Sequence, residues 1–256
     1  MSLQKWAFSP LAFKVLWRAA ERDVLPYPLQ YRSTFETVAE YDEAWKTEAS
    51  GLHRIFDDEL YGALRVLAEP EARVEVAGAV NGDRLRVHAA VHYQHAVLLV
   101  QEPTGSPYRG GDVRMTMFPA DRLPHRIVAL LPNAPRGRGP GLEISRHDLE
   151  AEDEGVYRID HDGAERSALT RARRFFERPR DLVVHVAAYA GAAWDNRPAP
   201  SRGFHVMDYP DGRYLVRNGG TLQAVPVDRM GLQIDLERVL RFTVTSHREE
   251  HDPSYR

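Results

Sequence analysis

The sequence predicts an α+β fold, with two half-units sharing one antiparallel sheet about a pseudo-two-fold axis. Each half-unit reads as helix, antiparallel strands, helix. Three observations carry this expectation. The hydrophobic period changes from helical over residues 9–68 to alternating over residues 73–118. The strand connections are mostly too short for the crossovers that parallel pairing needs. The second half of the chain repeats the first at an offset of 107–109 residues.

Ser9-Pro10 starts the first helix, because serine supplies a capping oxygen and proline is tolerated in the first turn. Leu11, Val15 and Leu16 form its apolar stripe. Pro26 and Pro28 then forbid helix and favour an extended strap. Ser33 with Glu36 matches a capping box for a second helix, along which Val38, Tyr41, Trp45, Ala49 and Leu52 recur, with Gly51 as a candidate end. Asp57 or Asp58 caps a third helix, which Pro70 ends.

Strands follow. Residues 73–80 alternate up to Asn81-Gly82, a two-residue hairpin signal in which both residues take positive φ. Leu85, Val87, Ala89 and Val91 alternate next, and the Tyr93-Gln94-His95 connection leads to a strand at 96–101. Residues 104–112 read as an exposed loop, residues 113–118 as a fourth strand and residues 121–131 as a helix. PNAPRGRGPG, at 132–141, reads as a linker.

The repeat sets the organisation. LRVLAEPEARVEVAGAV at 64–80 and RRFFERPRDLVVHVAAY at 173–189 both run from a helix end through proline into a Val-rich strand. MFPADRL at 117–123 recurs as AVPVDRM at 224–230. Half-units of about 34–132 and 160–241 follow, with a helical lead at 1–33 and a frayed polar tail at 242–256. In the second copy Asp162 and Glu165 cap a helix to about Glu177, and strands are expected at 182–189, 203–209, 212–218 and 221–225. Alone, a half-unit would leave a sheet edge and an apolar face bare.

Composition excludes several function classes. The chain holds 37 acidic and 34 basic residues for a net charge of −3, so bulk charge gives no case for nucleic acid or an anionic membrane. There is no cysteine, hence no disulfide, no Cys-zinc site and no thiol nucleophile. Lysine occurs only at 5, 14 and 46, and the many arginines are interleaved with acids as on a solvated surface. The most apolar run, 183–193, is far shorter than the roughly 20 residues that span a bilayer. The reading is cytoplasmic.

Catalytic patterns are weak. His88 and His92 share a strand face and suggest a metal-assisted hydrolase, but His95 lies past the turn, so a third ligand must come from elsewhere. A solvated sheet face is the simpler reading of these histidines. His247 and His251 have metal-compatible spacing within a polar tail. No Gly-x-Ser-x-Gly elbow or phosphate loop is present, and the Asp160–Gly163 run lacks the glutamate that would complete a calcium loop.

Five segments carry a family resemblance: FKVLWRAAERDVLPYPL (13–29), GLHRIFDDELYGALRVLAEPEARVEV (51–76), HAVLLVQEP (95–103), FPADRLPHRIVALLP (118–132) and GRYLVRNGGTLQAVPVDRMGLQIDLERVL (212–240). In this order they resemble the EspG family of actinobacterial type VII (ESX) secretion, over most of residues 8–240. The resemblance implies a central antiparallel sheet flanked by helical bundles and a quasi-two-fold relation between halves. It implies a cytosolic chaperone that covers the apolar helical tip of a PE–PPE-like client, or of a WXG100-like one, with no cofactor and no catalytic residues. A structural homo-oligomer without a client is the remaining alternative, and a monomer or homodimer is expected. Family contacts fall on a sheet surface, a strand–strand loop and the C-terminal helical bundle. Mapped here, they point to Tyr93, Gln94, His95 and the 104–111 loop with Tyr108; Trp194, where a strand gives way to loop, is a further contact candidate.

Overall fold

The computed structural model describes residues 3–153, 167–193 and 200–251. In chain order its elements are β1 (Gln4–Phe8), α1 (Pro10–Ala19), α2 (Val38–Ile55), α3 (Asp58–Ala68), β2 (Ala72–Val80), β3 (Asp83–His92), β4 (His95–Pro103), β5 (Gly110–Pro119), a 3-10 turn (Ala120–Arg122) and α4 (Leu123–Ala129). There follow β6 (Leu142–Ser145), α5 (Arg146–Asp153), α6 (Ala168–Phe176), β7 (Leu182–Ala190), β8 (Ser201–Tyr209), β9 (Gly212–Asn218), β10 (Thr221–Pro226) and α7 (Arg229–His251). The strands form one antiparallel sheet in the order β1-β5-β4-β3-β2-β7-β8-β9-β10-β6.

The order reads outward the same way from the centre. β2 and β7 meet in the middle, each starts a four-strand meander, and each meander ends beside the strand that opens its half. Val76 pairs Val186 and Ala77 pairs His185. Moving each β2 residue by the 109-residue offset of the sequence repeat turns one pair into the other.

Three apolar clusters hold the layers. On one face α4 and α7 cover Val74, Val76, Val184, Val186, Phe204 and Val206, spanning both halves. On the other, α1, α2 and α3 pack on Val97, Leu99, Val113 and Met115. A smaller cluster sets α6 against Leu142, Ile144, Val216 and Ala224.

Local chemistry explains most boundaries. Ser9 Oγ accepts from Ala12 N at 3.0 Å, as the Ser-Pro signal implied. The strap after α1 is extended, and Gln30 and Gln101 exchange two 2.8 Å hydrogen bonds that fasten it to β4. Asp57 caps α3 through a 2.8 Å bond to Leu60 N. Asn81 and Gly82 take φ of 50° and 90°, so the β2–β3 turn is the expected tight one.

Several expectations need correction. The capping box is Thr37 with Glu40, not Ser33 with Glu36; Ser33 Oγ instead accepts from Phe35 N inside the strap. Both pairs satisfy the same spacing, so only the path of the strap chooses between them. α2 runs through Gly51 to Ile55, since burial of Leu52 outweighs the roughly 1 kcal/mol that a helical glycine costs. Residues 4–8, expected in a helical lead, form edge strand β1 on β5. β6 and α5 carried too few residues for a recognisable period.

The tail from residue 242 is helical rather than frayed. α7 continues to His251, with Thr243 fully buried and its hydroxyl donating to Val239 O. The 132–141 segment is bonded to β9: Gly137 N donates to Arg213 O, Arg213 N to Pro135 O and Gly139 N to Tyr214 Oη. A Cβ on Gly137 would come within 2.4 Å of the Tyr214 ring, so this glycine serves close approach. The Asp162–Glu165 cap and the 160–163 turn lie outside the described residues; α6 is capped by Ser167.

Candidate functional site: the open centre of the sheet

Burial alternates along the central strands. Val74 and Val76 of β2, Val184 and Val186 of β7, and Phe204 and Val206 of β8 are buried beneath α4 and α7. Their neighbours Ala77, Ala79, Val183, His185, Tyr189, His205 and Met207 are only half-buried, and Gly203 is exposed. They face the side where α1–α3 cover β3–β5 and α6 covers the β9, β10 and β6 end. A two-residue period requires this split, and among the described residues no helix on that side packs over the middle strands, although Arg73 and Ala187 of the same face are buried.

The face has a small apolar floor and a titratable rim. His185 and His205 stand directly opposite each other, ring centroids 4.6 Å apart. Burial lowers the pKa of both, and at His205 the neighbouring His185 adds to the effect. Arg73 Nε bonds Glu75 Oε1 at 3.1 Å, its Nη1 donates to Gly191 O, and its guanidinium lies 4.3 Å from the Tyr189 ring centroid. Burial raises the Glu75 pKa even though Arg73 opposes it.

Tyr93 and Gln94 form the β3–β4 turn, and His95 opens β4. Tyr93 is 68% exposed at φ 50°. A buried carboxylate anchors the turn: Glu71 Oε2 accepts from Tyr93 N at 2.8 Å, and Arg248 of α7 clamps both Glu71 oxygens at 2.6 and 2.9 Å. Burial opposes ionisation of Glu71, but the bonds from Arg248 and Tyr93 leave its pKa below the usual value.

Tyr108 is 72% exposed but lies in the β4–β5 loop. β4 spans nine residues, so about 27 Å of strand separates it from Tyr93. These expected contacts therefore occupy opposite ends of the sheet. Trp194 lies outside the described residues.

The histidine metal reading loses its basis. His88 is 4% exposed, its Nδ1 sits 2.8 Å from Tyr27 O, and burial pushes its pKa down to about 4. It is neither a solvated residue nor a free ligand, because the strap closes over it. His247 and His251 do stack on α7, at 4.2 Å between ring centroids. Among the described residues, no three His, Cys, Asp or Glu side chains form a group that could hold a metal ion. None of the described helices is long and apolar enough to cross a membrane.

His185 and Tyr189 follow the alternation of the 182–189 strand and His205 that of the 203–209 strand, so their shared face is legible in the sequence. Arg248 lies in a polar run without an apolar stripe, and nothing local marks its partner.

The fold is thus a large antiparallel sheet with helices on both faces and, among the described residues, no helix over the centre of one face. The family model of the EspG family matches residues 9–238, and the chain belongs to that family. The chain is similar in fold to the type VII secretion system chaperone EspG5 of Mycobacterium tuberculosis, solved in complex with a PE25–PPE41 dimer. That likeness has a TM-score of 0.60 at 14% identity and covers 92% of this chain and 95% of EspG5. HtdX of Mycobacterium tuberculosis aligns at 11% identity over 87% of this chain and 99% of its own, with a TM-score of only 0.18. No curated protein matches the sequence.

Proposed function

We propose that this chain is a cytoplasmic chaperone of type VII secretion, which binds a PE–PPE-like helical client and keeps it soluble. The open centre of the sheet is the observation that carries this reading. Uncovered central strands between helix-covered flanks form a surface on which an apolar helical tip can be buried. The floor of Ala77, Ala79, Val183 and Gly203 admits close approach, and Tyr189 and Met207 supply larger contacts. Affinity then comes from a few anchors inside a polar rim. Membership of the EspG family and the client bound to EspG5 support the reading. In this reading Tyr93, Gln94 and His95 of the β3–β4 turn, and Tyr108 at the other end of β4, contribute peripheral contacts. Trp194 is a further contact. The protein acts by binding and not by catalysis, as a monomer or homodimer.

The two half-units are related by a pseudo-two-fold axis between β2 and β7. The symmetric strand order and the 109-residue register support this.

Co-expression with a PE–PPE pair from the native host tests the function. The expected result is a stable complex on size exclusion that Val183→Arg abolishes and Arg114→Glu, on distant β5, does not. Absence of a complex with any PE–PPE pair, or one indifferent to Val183→Arg, overturns the reading. Capture of a WXG100-like protein alone replaces the client.

A further inference from the structure

At the other end of the sheet, α6 and the turn after it align three arginines. Arg171, Arg174 and Arg178 are spaced by three and four residues, so they lie along one side, with Phe175 beside them. They line a cleft of about 680 Å³ whose opposite wall includes Leu142 of β6 and Ala224 of β10. Basic residues in a last helical turn offset the helix dipole at any azimuth. That effect does not account for three of them converging on one cleft.

Their present bonds leave positive charge in the cleft. Arg178 pairs with Asp211 at 3.1 Å and lies over the Phe175 and Tyr209 rings at 4.4 and 4.0 Å. Arg171 donates to the backbone carbonyl of Glu143 at 3.1 Å. Glu143 also lines the cleft, yet among the described residues neither Arg171 nor Arg174 forms an ion pair with a carboxylate. Both arginines are exposed, in a chain whose net charge is −3.

We propose that this cleft binds an acidic peptide segment whose carboxylates alternate with apolar side chains. Arg171 and Arg178 are seven residues apart and both line the cleft, an arrangement that suits successive carboxylates of a peptide. Leu142, Ala224 and Phe175 offer apolar surface, which buries peptide side chains but gives nothing to the remaining oxygens of a free phosphate. A guanidinium accepts a carboxylate in bidentate geometry, so the arginines supply orientation as well as charge. The site is separate from the open central face, so failure of either proposal leaves the other standing.

Fluorescence polarisation of a labelled decapeptide of alternating Glu and Leu, titrated with the full chain, tests this. The expected result is saturable binding that weakens as salt rises from about 50 to 300 mM. Arg171→Glu with Arg174→Glu is expected to weaken it at least about tenfold while the thermal midpoint holds. Arg114→Glu is expected to leave it intact. Equal binding of a control decapeptide of alternating Lys and Leu, no effect of the double variant, or displacement by inorganic phosphate at the peptide's own concentration overturns the proposal.

Discussion

His88 shows how one residue changes meaning once its neighbours are known. In sequence it invited a metal ligand; in the fold it is a neutral imidazole sealed under Tyr27. An imidazole in the unfolded chain titrates near pH 6.5, whereas His88 in the folded chain titrates at about 4. Between those values the unfolded state holds the extra proton, so stability falls as pH falls through that window. His185, His205 and His247 are shifted in the same direction by burial and add to the effect. The urea midpoint is therefore expected to drop from about pH 7 to pH 5, and His88→Gln to flatten part of that slope. A wild-type midpoint independent of pH in this range would contradict the buried neutral imidazole. Arg213 is a second residue whose role is set by enclosure. It is 1% exposed, clamps both oxygens of Asp208 at 2.7 Å and donates to Pro132 O. Asp208→Ala strands that charge, and calorimetry is expected to show a loss of about 3–5 kcal/mol.

At the scale of elements, α7 departs furthest from expectation. Its last two turns looked like a solvated tail because Ser246-His-Arg-Glu-Glu-His251 carries no apolar stripe. Those turns are held by polar partners instead: Ser246 Oγ accepts from Arg202, and Arg248 clamps Glu71. The ion pair closes a loop of 177 residues and fixes the end of the helix against the β3–β4 turn. Arg248→Ala leaves the Glu71 carboxylate buried with the Tyr93 amide and is expected to cost about 3 kcal/mol. Hydrogen exchange is expected to show faster exchange at Tyr93 and in residues 244–251, with the β2–β7 core unchanged. If exchange at Tyr93 stays slow, the clamp does not set the turn. Other elements were legible for a clear reason. Asn81-Gly82, Asp57 and Ser9-Pro10 act through bonds within four residues, so the local sequence carries most of what fixes them.

For the whole molecule, the joint between the halves is decisive. β2 and β7 pair along nine residues, and Gly78 sits where a Cβ would come within 2.1 Å of Val183 O. Gly78→Val is expected to force the central strands apart and lower stability by about 3 kcal/mol or more, read as a drop in thermal midpoint. α7 packs on β2 of the first half as well as on β7 and β8 of its own, and meets α4 over one apolar cluster, so the second half covers part of the first. A fragment of residues 1–134 would expose the β2 edge and much of that apolar face. It is expected to dimerise or aggregate on size exclusion, and a monomeric, folded fragment would show that the halves are independent.

The repeat at 107–109, the meander of short strands and the starts of α1 and α3 were determined by the sequence alone, because each depends on residue spacing or on bonds within a turn. The exclusion of thiol chemistry was equally readable from composition. Tertiary structure decided the rest. It chose which of two equal capping boxes operates and gave the polar end of α7 its partners. It set Tyr93 and Tyr108 at opposite ends of one strand and, among the described residues, left the centre of one sheet face without a helix over it. Those outcomes depend on which distant segment arrives to cover a surface, and a one-dimensional pattern carries no distance between residues 71 and 248.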